Sequence, residues 1–173
     1  MSVNLSGRQL LHPALTRLVS RVLAETKLPP SSLDLEISEA DLLANADRCI
    51  ERLGELKGLG VTLSIDDYGA GQSVLSQLHR YPVDALKIDR SVIGSITTDR
   101  NQEAVASAAI ALARTRKLRV VAEGVETQEQ RILLELWQCD RMQGNLCGPP
   151  ASAPDTEKLL LRQRKTTREL SEG

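Results

Sequence analysis

The chain has 173 residues, 41% hydrophobic and 26% charged, with 22 basic and 23 acidic side chains and a formal net charge of -1. This length suffices for one domain with a sizeable core, and the balanced charge argues against a nucleic-acid partner or a membrane surface. Only 2% is aromatic and Phe is absent, so Leu, Val, Ile and Ala must build the interior.

Short apolar runs alternate with helical patterns along the chain. "SVNLS" reads as a strand. Leu11, Leu15, Leu18 and Val22 then repeat at three- and four-residue steps, which predicts a helix with one apolar face. "LDLEIS" is a second strand. Leu42, Leu43, Ala46, Ile50 and Leu53 mark the next helix, which the glycines of "KGLG" end. "VTLSIDD" is a third strand, with a short helix from about Ser73 to His79 that stops near Pro82. "ALKID" is the fourth strand, and a long Ala-rich helix follows from Asn101 to about Arg116. "RVVAEG" is the fifth, and the helix after it opens on Thr127 and Gln130, spaced as a capping box. "DRMQG" is a sixth, short strand. Residues 1–152 thus read as one domain, and 153–173 as a charged C-terminal helix or tail.

Strand followed by helix, six times over, predicts an α/β fold with a parallel sheet and helical crossovers. An open doubly wound sheet and a barrel both fit. No G-x-G-x-x-G follows the first strand, which removes the main support for a dinucleotide fold.

The third strand runs into "LSIDDYGAGQSVL", where two adjacent carboxylates, Asp66 and Asp67, meet a Gly-rich loop. Polar residues also stand near the carboxyl ends of the other strands: Asn4, Glu36, Lys87 with Asp89, Glu123 and Gln143. In a parallel barrel these ends share one face, and that face carries the chemistry. An isolated Asp-Asp pair is more often a turn or a helix cap, and Lys87 alone reads as a surface lysine. Their coincidence at all six strand ends favours a site. Adjacent carboxylates repel unless a cation neutralises them, and carboxylates with an amide suit Mg²⁺ or Mn²⁺ better than zinc. Two such ions activate water and stabilise a leaving oxygen in phosphodiester hydrolysis. Lys87 adds a fixed positive charge, and Glu123 is a candidate general base. His12 and His79 lack ligand partners at metal spacing and read as structural, and Cys49 reads as packing.

The segments "VNLSGRQL", "LDLEISEADLL", "GVTLSIDDYGAGQSVLSQL", "PVDALKIDRSVI", "VVAEGVET" and "CDRMQG" together resemble the EAL-domain family, phosphodiesterases that linearise the bacterial messenger cyclic di-GMP. The resemblance implies a modified TIM (β/α) barrel, incomplete here, with about six of eight strands. It implies that Asn4, Glu36 and Asp66 ligate a first metal, Mg²⁺ or Mn²⁺, and that Asp66 and Asp67 ligate a second. Lys87 would orient the hydrolytic water, Glu123 would be the acidic partner often assigned as base, and Gln143 would lie in the site. Glu39 would anchor the loop after Asp67, and Asp89 and Glu126 match further acidic positions. The sequence has no counterpart of the family's first two strands, which carry the Glu-Ala-Leu motif, and Gln72, Trp137, Gln138, Asn145 and Cys147 depart from the usual pattern.

From this follow the expectations on partners: cyclic di-GMP, an upstream sensor or diguanylate-cyclase domain, and no nucleic acid. A barrel open at two strand edges, with an apolar interior exposed, predicts a homodimer or a marginally stable monomer. The alternative function is a non-catalytic module that binds cyclic di-GMP or a protein. Cys49, Cys139 and Cys147 follow neither a disulfide framework nor zinc spacing. With no secretion signal and no apolar run near the ~20 residues of a membrane span, the expected location is cytoplasmic, with no membrane partner.

Overall fold

The structure, a computed structural model, describes residues 1–70, 75–159 and 161. Six strands, β1 (Ser2–Asn4), β2 (Asp34–Ser38), β3 (Thr62–Tyr68), β4 (Ala85–Ile88), β5 (Arg119–Glu123) and β6 (Arg141–Gln143), form one sheet. Its order is β1-β2-β3-β4-β5-β6, and every neighbouring pair is parallel. The helices are α1 (Gly7–Leu10), α2 (Leu15–Thr26), α3 (Glu39–Ala44), α4 (Ala46–Gly58), α5 (Arg90–Ile93), α6 (Arg100–Thr115) and α7 (Gln128–Leu136). They cover one face of the sheet, and the whole is an incomplete α/β barrel. A further helical stretch occupies 153–159. The predicted helix at Ser73 and Val74 and the departure at Gln72 lie outside the described residues, and a 3-10 helix spans Leu75–Arg80.

Strand side chains alternate between two faces. Leu35, Ile37, Leu63, Ile65, Leu86 and Ile88 point to the helices and join one core with Leu42, Leu53 and Ile110. The other face, which lines the barrel interior, is polar: it carries Asp34, Glu36, Ser64, Asp66, Lys87 and Arg119. Ser64 Oγ donates to the Asp34 carboxylate at 2.7 and 2.9 Å. Ala85, in register with Ser64, and Val121, in register with Lys87, are apolar members of this face, which is otherwise more polar than expected. Large apolar side chains reach solvent at Val3 on the edge strand β1, at Leu18 and Val22 on α2 and at Ile132 and Leu136 on α7.

The first predicted helix differs in two ways. Leu11 closes the separate α1, which ends before Pro13, and α2 buries Val19 and Leu23 while Leu18 and Val22 stand 47% and 43% exposed. Two apolar stripes overlap in this helix, and periodicity alone does not say which meets the sheet. The second predicted helix is two, broken at Asn45 (φ -145°, ψ 47°). Caps fix the remaining helix starts. Ser38 Oγ accepts from Asp41 N–H, Asp99 Oδ1 accepts from Asn101 N–H, and Thr127 and Gln130 form the capping box that opens α7.

Candidate active site

The site begins with a fault in β3. Ile65 pairs with Leu86 and Tyr68 with Ile88, so two residues, Asp66 and Asp67, stand opposite the single Lys87. This is a β-bulge. Asp67 takes a left-handed backbone (φ 57°), a conformation that Asp tolerates better than most residues. Its N–H donates to Asp66 Oδ1 at 3.0 Å. The loop beyond turns at Gly69 (φ 93°), where a Cβ would meet Val92 Cγ2 at 2.6 Å. The Glu39 carboxylate, buried at the start of α3, accepts the Gly69 N–H at 3.2 Å.

Lys87, in the middle of β4, is the hub. Its Nζ lies 2.8 Å from Glu36 Oε2, 3.1 Å from Asp66 Oδ1 and 2.6 Å from Glu123 Oε1. The four side chains are 9% (Lys87), 10% (Glu36), 15% (Asp66) and 19% (Glu123) exposed. Three acids from β2, β3 and β5 thus share one ammonium. Burial alone would push the Lys87 pKa down, but hydrogen bonds to Glu123 and Glu36 and the Asp66 charge outweigh it and hold the ammonium above its ordinary value. Glu123 is shifted up. Burial, with Asp66 and Glu36 nearby, outweighs what Lys87 returns to it, since that one cation is divided three ways. The Asp67 carboxyl is also pushed up, by burial first and then by Asp66 and Asp89.

Asn4 lies at the end of β1 in register with Glu36, and Gln143 at the end of β6 in register with Glu123. Both are exposed at the two edges of the sheet. Asp89 caps α5, accepting from Ser91 N–H at 2.8 Å, and its pKa is lowered, burial notwithstanding, by that capping. Glu126 is exposed, and its N–H donates to Gln130 Oε1 at 2.7 Å. Among the described residues no ion pair joins its carboxylate to the cluster.

Sequence reasoning missed three supports. Gln130, 3% exposed, holds the Glu126–Thr127 turn with its Oε1 and donates through Nε2 to Ile93 O at 3.2 Å. The capping-box spacing marked the residue but not its reach to α5. Gly124 lets the loop after β5 approach Arg90 of α5, and Gly144 lets the loop after β6 approach Val125. At Gly144 a Cβ would lie 2.3 Å from both Val125 N and Val125 O. The bulge had its signal in the adjacent Asp pair followed by Gly69.

The donor set is oxygen throughout, the chemistry that Mg²⁺ and Mn²⁺ take, and three of its carboxylates already converge on one positive centre. Among the described residues no three acid, imidazole or thiol groups are set to hold an ion as they stand, because the convergence point belongs to Lys87. The residue types present, carboxylates with an amide, are those a hard divalent cation takes.

The family model for the EAL domain matches residues 1–150. The chain is 42% identical over 160 residues to the bifunctional diguanylate cyclase/cyclic di-GMP phosphodiesterase MucR of Pseudomonas aeruginosa, covering 92% of this chain and 23% of that protein. Among solved structures, the MucR phosphodiesterase in complex with c-di-GMP superposes with a TM-score of 0.85 at 41% identity, over 90% of this chain and 63% of that one. The manganese/cy-diGMP complex of Klebsiella pneumoniae BlrP1 does so with a TM-score of 0.78 at 30% identity, over 83% and 37%. The chain therefore spans about a quarter of the MucR sequence, and with the family model matching residues 1–150 it is a member of the EAL domain family.

Proposed function

We propose that this chain hydrolyses one phosphodiester bond of cyclic di-GMP to give the linear dinucleotide, with two Mg²⁺ or Mn²⁺ ions as cofactors. The observation that carries the reading is the bulge in β3, which sets two adjacent carboxylates opposite a buried lysine shared by two further acids. The MucR and BlrP1 complexes, with c-di-GMP in both and manganese in the second, support the choice of ligand and metal. In this reading Asn4, Glu36 and Asp66 hold one ion, and Asp66 and Asp67 the other. Bound metal supplies an acidified water and charge for the leaving oxygen.

The chain's own groups do the rest. Glu123, with its raised proton affinity, takes the proton of the attacking water; a base works best when its pKa approaches the working pH. Lys87 offers a charge that stays positive at any working pH, directed at that water and the phosphate oxygens. Gln143, neutral and exposed beside Glu123, binds the nucleotide by hydrogen bonds. Glu39 holds the loop after Asp67 through Gly69, and Asp89 and Glu126 border the site as supports. A sensor or diguanylate-cyclase unit regulates the domain in the cytoplasm, as the two activities in MucR's name suggest. No helix among the described residues is long and apolar enough to cross a membrane.

The test is turnover of cyclic di-GMP by the purified chain with Mg²⁺ or Mn²⁺ titrated. The expected result is metal-dependent linear product that Asp66→Asn lowers by at least about 100-fold, since one carboxylate serves both ions. Product formation unaffected by Asp66→Asn refutes the two-metal assignment. Tight binding of cyclic di-GMP without turnover selects the alternative, a non-catalytic binding module.

A further inference from the structure

We propose that Lys87 is the counter-cation of this acidic cluster, and that a divalent ion binds there only by displacing its ammonium from Glu36, Asp66 and Glu123. The inference rests on the metal-site reading above. It concerns what the chain does before metal arrives.

Three acids carry three negative charges within 3.1 Å of one nitrogen. Left alone, such a group of like charges forces protonation or spreads apart. Lys87 is the only cation paired with any of the three among the described residues. The backbone cannot adjust: β4 is hydrogen-bonded on both sides, to β3 and β5, and all four of its residues are buried. The flexible four-carbon stem of Lys87 gives the ammonium room to move. A divalent ion and the ammonium compete for the same oxygens, because like charges at such close range repel. The lysine therefore does two jobs in turn. It keeps the acids assembled in the metal-free chain, and it is released as a free cation when metal takes its place. The free cation then appears at the same site as the anionic substrate, which couples metal occupancy to phosphate recognition.

The test replaces the charge and keeps the length. Lys87→Met and Lys87→Arg are compared with the unaltered 173-residue chain by calorimetric titration with MnCl₂ and by thermal melting, in EDTA and in saturating Mn²⁺. Lys87→Met is expected to bind Mn²⁺ at least about tenfold more tightly, to melt lower than the unaltered chain in EDTA, and to recover most of that loss in Mn²⁺. Lys87→Arg is expected to stay within about threefold of the unaltered affinity. In case Lys87→Met folds poorly without metal, Lys87→Met/Glu123→Gln is compared with Glu123→Gln alone, where one fewer carboxylate is left unpaired; the same tightening is expected. Equal or weaker Mn²⁺ binding by the Met variants, with binding by the unaltered chain intact, overturns the counter-cation role and leaves the metal site standing. Absence of Mn²⁺ binding from the unaltered chain and all variants overturns both.

Discussion

Gly144→Ala is the sharpest probe of how the strand ends are held. An alanine Cβ there would lie 2.3 Å from Val125 N and Val125 O and 2.8 Å from Val125 C, where ordinary contact is 3.4–4 Å. All three atoms are backbone, so no rotamer relieves the overlap, and the two loops must part by about 1 Å. That movement strains the pair of hydrogen bonds joining them, Val125 N–H to Gln143 O (3.0 Å) and Leu146 N–H to Val125 O (3.1 Å). Two weakened backbone bonds at about 0.5 kcal/mol each and overpacking of about 2 kcal/mol give a loss of about 3 kcal/mol. For a domain of roughly this size that lowers the Tm by about 10 °C. The assay is a calorimetric melt with amide exchange followed at Val125 and Leu146. Gln143 should also move relative to Glu123, its register partner, so affinity for the nucleotide should fall more than the melting point alone explains. A Tm within about 2 °C of the unaltered chain, with both amides still protected, refutes the close-approach argument.

Gly54→Ala should act in the opposite direction. Gly54 sits within α4 with nothing within 4 Å of the added Cβ, so the gain in helix propensity, about 1 kcal/mol, should raise the Tm by about 3 °C. Gln130→Ala removes four hydrogen bonds of a buried amide. It should cost about 2–3 kcal/mol in urea titration and speed amide exchange at Glu126 and Thr127. Glu123→Gln bears on pH. The raised Glu123 pKa means that the folded chain binds more protons than the unfolded chain just above the ordinary carboxylate range, so stability falls as pH rises through that window. The metal-free Gln variant should lose part of that fall; stability profiles of the two chains that run parallel from pH 4 to 8 would show that Glu123 is not strained.

The strand positions were legible because a parallel sheet leaves short apolar runs, and the polar groups at their ends were legible because they recur near the same place in each βα unit. The capping box at Thr127 and Gln130 placed α7 to the residue. What periodicity did not carry was direction. The stripe Leu11, Leu15, Leu18 and Val22 has helical spacing, but Val19 and Leu23 form a competing stripe, and the sheet selected the second. The inner wall was misjudged for a related reason: β3 reads as a continuous apolar run, yet Thr62 and Ser64 within it face inward beside Asp34. In the site, residue types announced the cluster, but the ion pairing did not follow from spacing. Lys87 is 51 residues from Glu36, and only the stacking of β2 through β5 brings them together.

The bulge at Asp66 and Asp67 has a consequence for how the sequence can change. A regular strand turns neighbouring side chains to opposite faces, so an uninterrupted β3 would have one carboxylate to offer, and the added residue supplies a second at the cost of a left-handed backbone. Deleting Asp67 would restore even pairing from Ile65 to Tyr68 against Leu86 to Ile88 and heal the sheet while emptying half the site. At this one position regular strand pairing and the proposed site run in opposite directions, so a search for more stable variants drifts towards an intact strand that has lost one of the paired carboxylates. The same deletion made three residues earlier would turn Leu63 and its neighbours out of the core, and there folding itself would oppose the change.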